Sequence, residues 1–136
     1  MSPPDLVCVP PPQIGTFWPF AEKFISSAID DSFLSDFEVV KRETFAGNYL
    51  LWLAISKCVE AAAVTHLFKA ANGDLVCTLV ACGGHERERW LHLLKRIEQY
   101  ADAEGCSCLR IYGRKGWERV LDGYKAKYVI LERAFR

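Results

Sequence analysis

The sequence has no surplus of charge, only one methionine and three histidines, and no apolar run approaching the length of a membrane span. Each shortage closes off a class of function. Seventeen basic side chains are balanced by 17 acidic ones, so the basic excess that drives general nucleic-acid or membrane-surface binding is missing. The lack of a long apolar run argues against a transmembrane helix. The start, Met1-Ser2-Pro3-Pro4-Asp5, carries neither the basic residues nor the apolar stretch of a secretory signal. No segment repeats and no linker divides the chain, so residues 1–136 read as a single domain, with residues 1–15 a strand plus a proline-rich connector. A chain of this length buries roughly two-thirds of the surface its unfolded form exposes, enough for a core without staples.

The charge balance is uneven. Residues 1–73 hold 5 basic and 8 acidic side chains, and residues 74–136 hold 12 and 9. The positive half suits a phosphate-bearing ligand or an acidic partner. The six cysteines, Cys8, Cys58, Cys77, Cys82, Cys106 and Cys108, fall mostly inside apolar segments. Reduced cysteines behave this way as small core hydrophobes, so a reducing compartment and six free thiols are expected. Cys106 and Cys108 form a C-x-C pair and Cys82 stands three residues before His85, but a zinc site needs four ligands and no second pair is present. Cys82 with His85 as its base is an alternative reading, a covalent acyl carrier.

Residues 5–9 read as a strand stopped by Pro10-Pro11-Pro12. From Thr16 the spacing of Phe17, Phe20, Phe24, Ile25 and Ala28 predicts a helix that tolerates Pro19 in its first turn. Ser35 with Glu38 forms a capping box for a second helix carrying Phe37, Val40 and Phe45, and Gly47 stops it. Residues 49–55, 59–68 and 75–82 read as a three-stranded meander, its last turn marked by Asn72-Gly73-Asp74. A long helix over about 85–104 follows, with apolar positions 90, 94, 97 and 101 and Gly105 as its stop. Residues 108–112 read as a strand, 114–121 as a short helix with Trp117, Val120 and Leu121 inward, and 128–131 as a closing strand. The expected fold is therefore α/β (α+β), in the order β-α-α-β-β-β-α-β-α-β, a mixed sheet in three layers.

That order, with Val80-Ala81-Cys82-Gly83-Gly84 ahead of the long helix, Gly105 after it, and Asp122-Gly123-Tyr124 near the end, resembles the GNAT superfamily of acetyl-CoA-dependent N-acetyltransferases. The first of these runs, the long helix and the stretch Ile111-Tyr112-Gly113-Arg114-Lys115-Gly116-Trp117 are similar to short GNAT-like proteins of tailed bacteriophages and prophages. The resemblance implies acetyl-CoA as cofactor, its pantetheine arm on a backbone edge freed where two strands splay and its pyrophosphate at the start of the long helix. Set in register with Val80, Leu93 and Leu94, the family's R/Q-x-x-G-x-G/A motif falls on His85 as the basic residue and on Glu88 and Trp90 where glycines belong. An alternative path runs through the backbone of Val80, Cys82, Gly83 and Gly84, with Arg87 and Arg89 supplying charge. These six residues are the expected cofactor contacts. The family's acid tyrosine would stand at Arg119, four residues before Gly123. On the central strands Glu60, His66, Cys77 and Cys82 are titratable; Glu60 near a turn reads as solvated and His66 as a partly exposed strand histidine. No catalytic residue is assigned.

Arg87, Arg89, Lys95 and Arg96, interleaved with Glu86, Glu88 and Glu98, read as the solvated face of the long helix. Arg114, Lys115 and Trp117 suit either a phosphate site with a stacking indole or, for Trp117, the core. Two functions follow from the resemblance. One is a binding or structural component without catalysis, such as a minor phage virion protein, in the virion or the reducing bacterial cytoplasm. The alternative is an active N-acetyltransferase acting on an unknown amine. Expected partners are phage structural proteins or further copies of the chain, with no membrane and no specific nucleic acid. Phe17 and Trp18, at a helix entrance beside the stiff proline run, are the expected partner contacts, with Phe20 and Phe24 in the core.

Overall fold

Segments rich in branched and aromatic residues pair into one sheet in the computed structural model, which describes residues 2–30, 35–113 and 116–136. Five strands lie in sequence order: β1 (Asp5–Cys8), β2 (Leu50–Ile55), β3 (Val59–Lys69), β4 (Leu75–Gly84) and β5 (Cys108–Ile111). The first four are antiparallel neighbours, and β5 joins β4 in parallel. A parallel pair cannot be closed by a hairpin, so the chain crosses over through residues 85–107. Gly73, at φ 92°, turns the β3–β4 hairpin where the Asn72-Gly73-Asp74 signal places it.

The helices are α1 (Ile14–Asp30), α2 (Phe37–Phe45), α3 (Arg87–Trp90), α4 (Leu94–Ala103) and α5 (Trp117–Val120), with 3-10 turns at Pro11–Gln13 and Leu91–Leu93. Strand alternation sends Leu51, Leu53, Ala62, Val64 and Ala81 to one face, where α1 and α2 pack. Leu6, Trp52, Ala54, Ala61 and Leu79 go to the other, against Trp90, Leu93, Leu94 and Ile97. Leu51, Leu53 and Val64 have no exposed surface, and each contributes about 1.5–3 kcal/mol by burial. This mixed α+β architecture is the one expected from the sequence.

Several details differ from expectation for identifiable reasons. Helix α1 begins at Ile14 and buries Ile14, Trp18, Ala21, Ile25 and Ile29, whereas Phe20 is 60% exposed. The buried stripe is turned relative to the aromatic one because α1 rides close to β4. A Cβ on Gly83 would stand 2.8 Å from the Phe24 carbonyl oxygen and 3.8 Å from the Ala28 Cβ, so the helix and strand backbones meet closely there. Trp18, expected to be half exposed, is thus a core residue at 3% exposure, and Phe17 is partly buried beside it. Helix α2 is capped by Asp36 rather than Ser35: the Asp36 carboxylate accepts from the N–H groups of Glu38 at 2.9 Å and Val39 at 3.3 Å.

The long helix is broken into α3, a 3-10 turn and α4, which brings Trp90, Leu93 and Leu94 onto the same face. The short helix is α5, in which Trp117 is partly buried and Val120 is 37% exposed, while Leu121 just beyond it is buried. Residues 128–131 are not a strand. They carry no regular structure, and Leu131 is 90% exposed. An unbroken apolar run suits a strand covered on both faces, and beyond β5 no helix supplies that cover among the described residues. Phe33, Arg114 and Lys115 lie outside the described residues.

Candidate functional site

The sheet opens where β4 leaves β5. Their pairing ends at Leu79 opposite Ile111, while β4 runs on to Gly84 beside β3 alone. The register of β3 against β4 jumps at this point, Val64 facing Ala81 and Thr65 facing Leu79, so Val80 is the extra residue of a β-bulge. A bulge bends its strand and increases its twist, which carries residues 80–84 away from β5. Val80 and Ala81 consequently both pack toward α1 and α2. The freed backbone edge that the sequence reading places at Val80, Cys82, Gly83 and Gly84 is present.

The space beside it is filled. On the α4 face a cavity of only about 30 Å³ remains, lined by Trp52, Leu79, Cys82, Trp90 and Trp117 among others. Trp90 is 7% exposed, and its indole Nε1 donates to the His85 carbonyl at 2.7 Å. The indole therefore closes the turn between β4 and α3. Glu86 takes up the left-handed conformation there, at φ 46°. Helix α3 is a single turn of four residues, too short to build the aligned dipole that favours an anion at a long helix start.

The glycines and arginines of this turn are committed elsewhere. A Cβ on Gly84 would stand 2.5 Å from both the Ala61 Cβ and the Glu60 carbonyl oxygen, so this glycine serves the close β3–β4 approach. Arg89 meets the Glu60 carboxylate in a fork, Nε to Oε1 at 2.6 Å and Nη2 to Oε2 at 3.0 Å, and Nη2 also donates to the Ser2 carbonyl at 2.8 Å. Glu60, expected to be solvated, is buried at 7% exposure. Hydrogen bonds from Arg89 and then Ser56 hold its carboxyl at about 2, far below the usual carboxylate range. Arg87 and Glu88 are exposed. Of the two residues set in register with the family's glycine positions, Trp90 is buried beside residues 80–84 and Glu88 is exposed.

As they stand, the residues beside the freed edge do not present a cradle for acetyl-CoA. The hollow of about 30 Å³ is narrow for a pantetheine arm with Trp90 in place, and Arg89 already has a carboxylate partner.

The remaining candidates are dispersed. Cys82 lines the α4-face cavity, whereas the His85 ring meets Phe24 of α1 edge-on at 5.1 Å, so the two are not brought together as thiol and base. Burial pushes the thiols of Cys82 and Cys77 up to about 12, and a thiol so far from ionisation is a poor acyl acceptor. Arg119 is exposed, and the nearby tyrosine, Tyr124, donates its hydroxyl to Glu98 Oε2 at 2.6 Å. Burial, then that bond, pushes the Tyr124 hydroxyl well above the usual phenol range. Trp117 packs against the α4-face cluster. Among the described residues no group of three or more His, Cys, Asp or Glu could hold a metal ion, and no helix is long and apolar enough to cross a membrane.

All six cysteines are free thiols. Iodoacetamide at about pH 8 should label the exposed Cys58 and Cys108 first and reach Cys77 and Cys82 only after denaturation. Mass spectrometry of the alkylated protein checks this, and a native Cys106–Cys108 disulfide would contradict it.

No protein-family model and no curated protein matches the sequence. Solved structures do match the fold over nearly its whole length. A GNAT family acetyltransferase from Staphylococcus aureus superposes with a TM-score of 0.64 at 11% identity, covering 98% of this chain and 99% of that one. Glucosamine-6-phosphate N-acetyltransferase from Arabidopsis thaliana gives 0.61 at 10% identity, covering 99% and 100%. A mutant of the BH1408 protein from Bacillus halodurans gives 0.70 at 8% identity, covering 97% and 99%. The chain has the GNAT acetyltransferase fold. Identities this low carry the architecture and not the chemistry.

Proposed function

We propose that this chain is a GNAT-fold binding or structural component that does not work as an acetyl-CoA-dependent transferase. The observation that carries the reading is Trp90, whose indole fills the space beside the freed β4 edge and is tied to the His85 carbonyl. The Arg89–Glu60 pair supports it, since the charge nearest that edge is already neutralised. The sequence likeness to short phage and prophage GNAT-like proteins suggests the setting, a minor virion component or a partner of phage structural proteins in a reducing bacterial cytoplasm. Contact with such a partner or with further copies of the chain is favoured at the C-terminal end, where Tyr128, Val129, Ile130 and Leu131 are exposed and Tyr128 lies against Arg110 of the edge strand β5. That replaces the N-terminal surface expected from Phe17 and Trp18.

Calorimetry with acetyl-CoA tests the reading directly. The expected result is no measurable heat with ligand up to about 1 mM, and a dissociation constant of about 1 µM would overturn it. An active N-acetyltransferase would need Trp90 to leave its site and Arg87 to serve as the phosphate contact.

A further inference from the structure

On the face opposite the Trp90 gap, three strands contribute one residue each to a transverse row. His66 of β3 faces Thr78 of β4, and Thr78 faces Arg110 of β5. Register partners share a face, and Leu79, Leu109 and Ile111 occupy the other. Three threonines are buried among the described residues. Thr44 donates to the Val40 carbonyl at 2.7 Å, and Thr65 accepts from Trp52 Nε1 at 2.9 Å. Thr78, with no exposed surface, has no partner for its Oγ1.

A buried hydroxyl without a partner costs stability, and valine has almost the same shape. Its neighbours show what the hydroxyl could serve. Arg110 forms no ion pair among the described residues. Its guanidinium lies 5.6 Å from the centre of the Phe68 ring and 5.5 Å from that of Tyr128. Tyr49 stacks on His66 at 4.5 Å and 22°, and His66 meets Phe68 at 5.7 Å. The row thus joins an unpaired planar cation and an unused hydroxyl to a wall of flat rings.

We infer that this row binds a small planar carboxylate, its oxygens taken by the Arg110 guanidinium and the Thr78 hydroxyl and its plane by the rings of Tyr49, His66 and Phe68. Guanidinium matches carboxylate geometry through two parallel bonds, and flat conjugated acids stack on aromatic side chains. Arg110 is partly exposed and Thr78 has no exposed surface, so the inference requires that Arg110 and the rings around it move aside for the ligand to reach the hydroxyl. A monoanion matches the single guanidinium of the row, since Glu43 acts on His66 and the opposite charges of Glu43 and Arg42 both act on Tyr49. Burial lowers the His66 imidazole from its ordinary value, which works against a second positive charge in the row. The site lies on the opposite face from Trp90 and does not depend on whether acetyl-CoA binds.

Calorimetry with benzoate, acetate and phenyl phosphate on the wild type, Thr78→Val and Arg110→Gln tests it. Benzoate should bind with a dissociation constant of about 1 mM or tighter, and acetate about tenfold more weakly because it has no ring to stack. Thr78→Val should melt at the same or a higher temperature yet lose about tenfold in benzoate affinity, and Arg110→Gln should lose binding altogether. That combination separates a ligand-binding hydroxyl from a structural one. No heat from benzoate on the wild type overturns the inference, as does affinity unchanged in both variants. Tighter binding of phenyl phosphate than of benzoate overturns the carboxylate assignment. A Thr78→Val protein that melts lower or fails to fold shows that the hydroxyl has a structural role, and this too overturns it.

Discussion

Replacing Trp18 with alanine should destabilise the protein by about 3–5 kcal/mol, whereas Phe20→Ser, two residues along the same helix, should change stability by less than about 0.5 kcal/mol. The contrast follows from burial: Trp18 is 3% exposed and Phe20 60%. Trp18 sits where α1, α2 and the sheet converge, its ring centre 5.6 Å from that of Phe45 and 6.1 Å from that of Phe37. Alanine there removes the aromatic contacts between α1 and α2 and leaves a cavity that the rigid sheet cannot collapse into. The indole Nε1 is itself buried without a partner, so Trp18→Phe removes an unsatisfied donor while keeping most of the volume. It should recover most of the loss. Urea unfolding of the three variants, followed by circular dichroism, measures the series. A Trp18→Ala midpoint close to the wild-type value would place the indole at the surface.

Trp18 also marks where the sequence stops being a sufficient guide. The meander, its Asn72-Gly73-Asp74 turn and the crossover to a parallel strand are written in local patterns, and the chain folds as those patterns indicate. The face of α1 is not. Five aromatic and aliphatic residues formed one plausible stripe, but Gly83 on a strand far along the chain sets how closely the helix approaches and so which stripe is buried. The closing strand failed for a related reason. Residues 128–131 have strand-like composition, yet composition does not say whether a layer exists beyond β5 to cover both of their faces.

The candidate site divides the same way. That β4 frees its backbone edge was implied by the resemblance to the GNAT superfamily, and the run of residues 80–84 located it as a change from strand to glycine pair to helix. What occupies that place was not legible. Arg89 and Glu60 are 29 residues apart; Glu60 read as a solvated charge and Arg89 as a solvated charge or a cofactor contact, and neither reading paired them. Likewise Cys82 and His85 are near in sequence but lie on opposite sides of the sheet, since β4 alternates its side chains and then turns. The row of His66, Thr78 and Arg110 depends on the register of three strands. It carries no short-range signature at all.

Trp90→Ala should cost about 3–5 kcal/mol and, unlike Trp18→Ala, should also change what the protein can bind. The indole is nearly buried against Leu94, Ile97 and the sheet, and its Nε1 holds the His85 carbonyl. Its removal enlarges the cavity beside residues 80–84 and loosens the turn into α3. If the indole is what excludes acetyl-CoA, the folded variant should acquire weak but measurable affinity, with Trp90→Phe still closed and without it. The gain should be modest because Arg89 remains paired with Glu60, leaving exposed Arg87 as the nearer free charge for a pyrophosphate. The loss of stability is a large part of the roughly 5–15 kcal/mol available to a domain, so the titration belongs at low temperature, with folding checked by circular dichroism. A folded Trp90→Ala protein that still gives no heat would shift the obstruction from the indole to the turn itself, where Glu86 is the one left-handed non-glycine residue among those described.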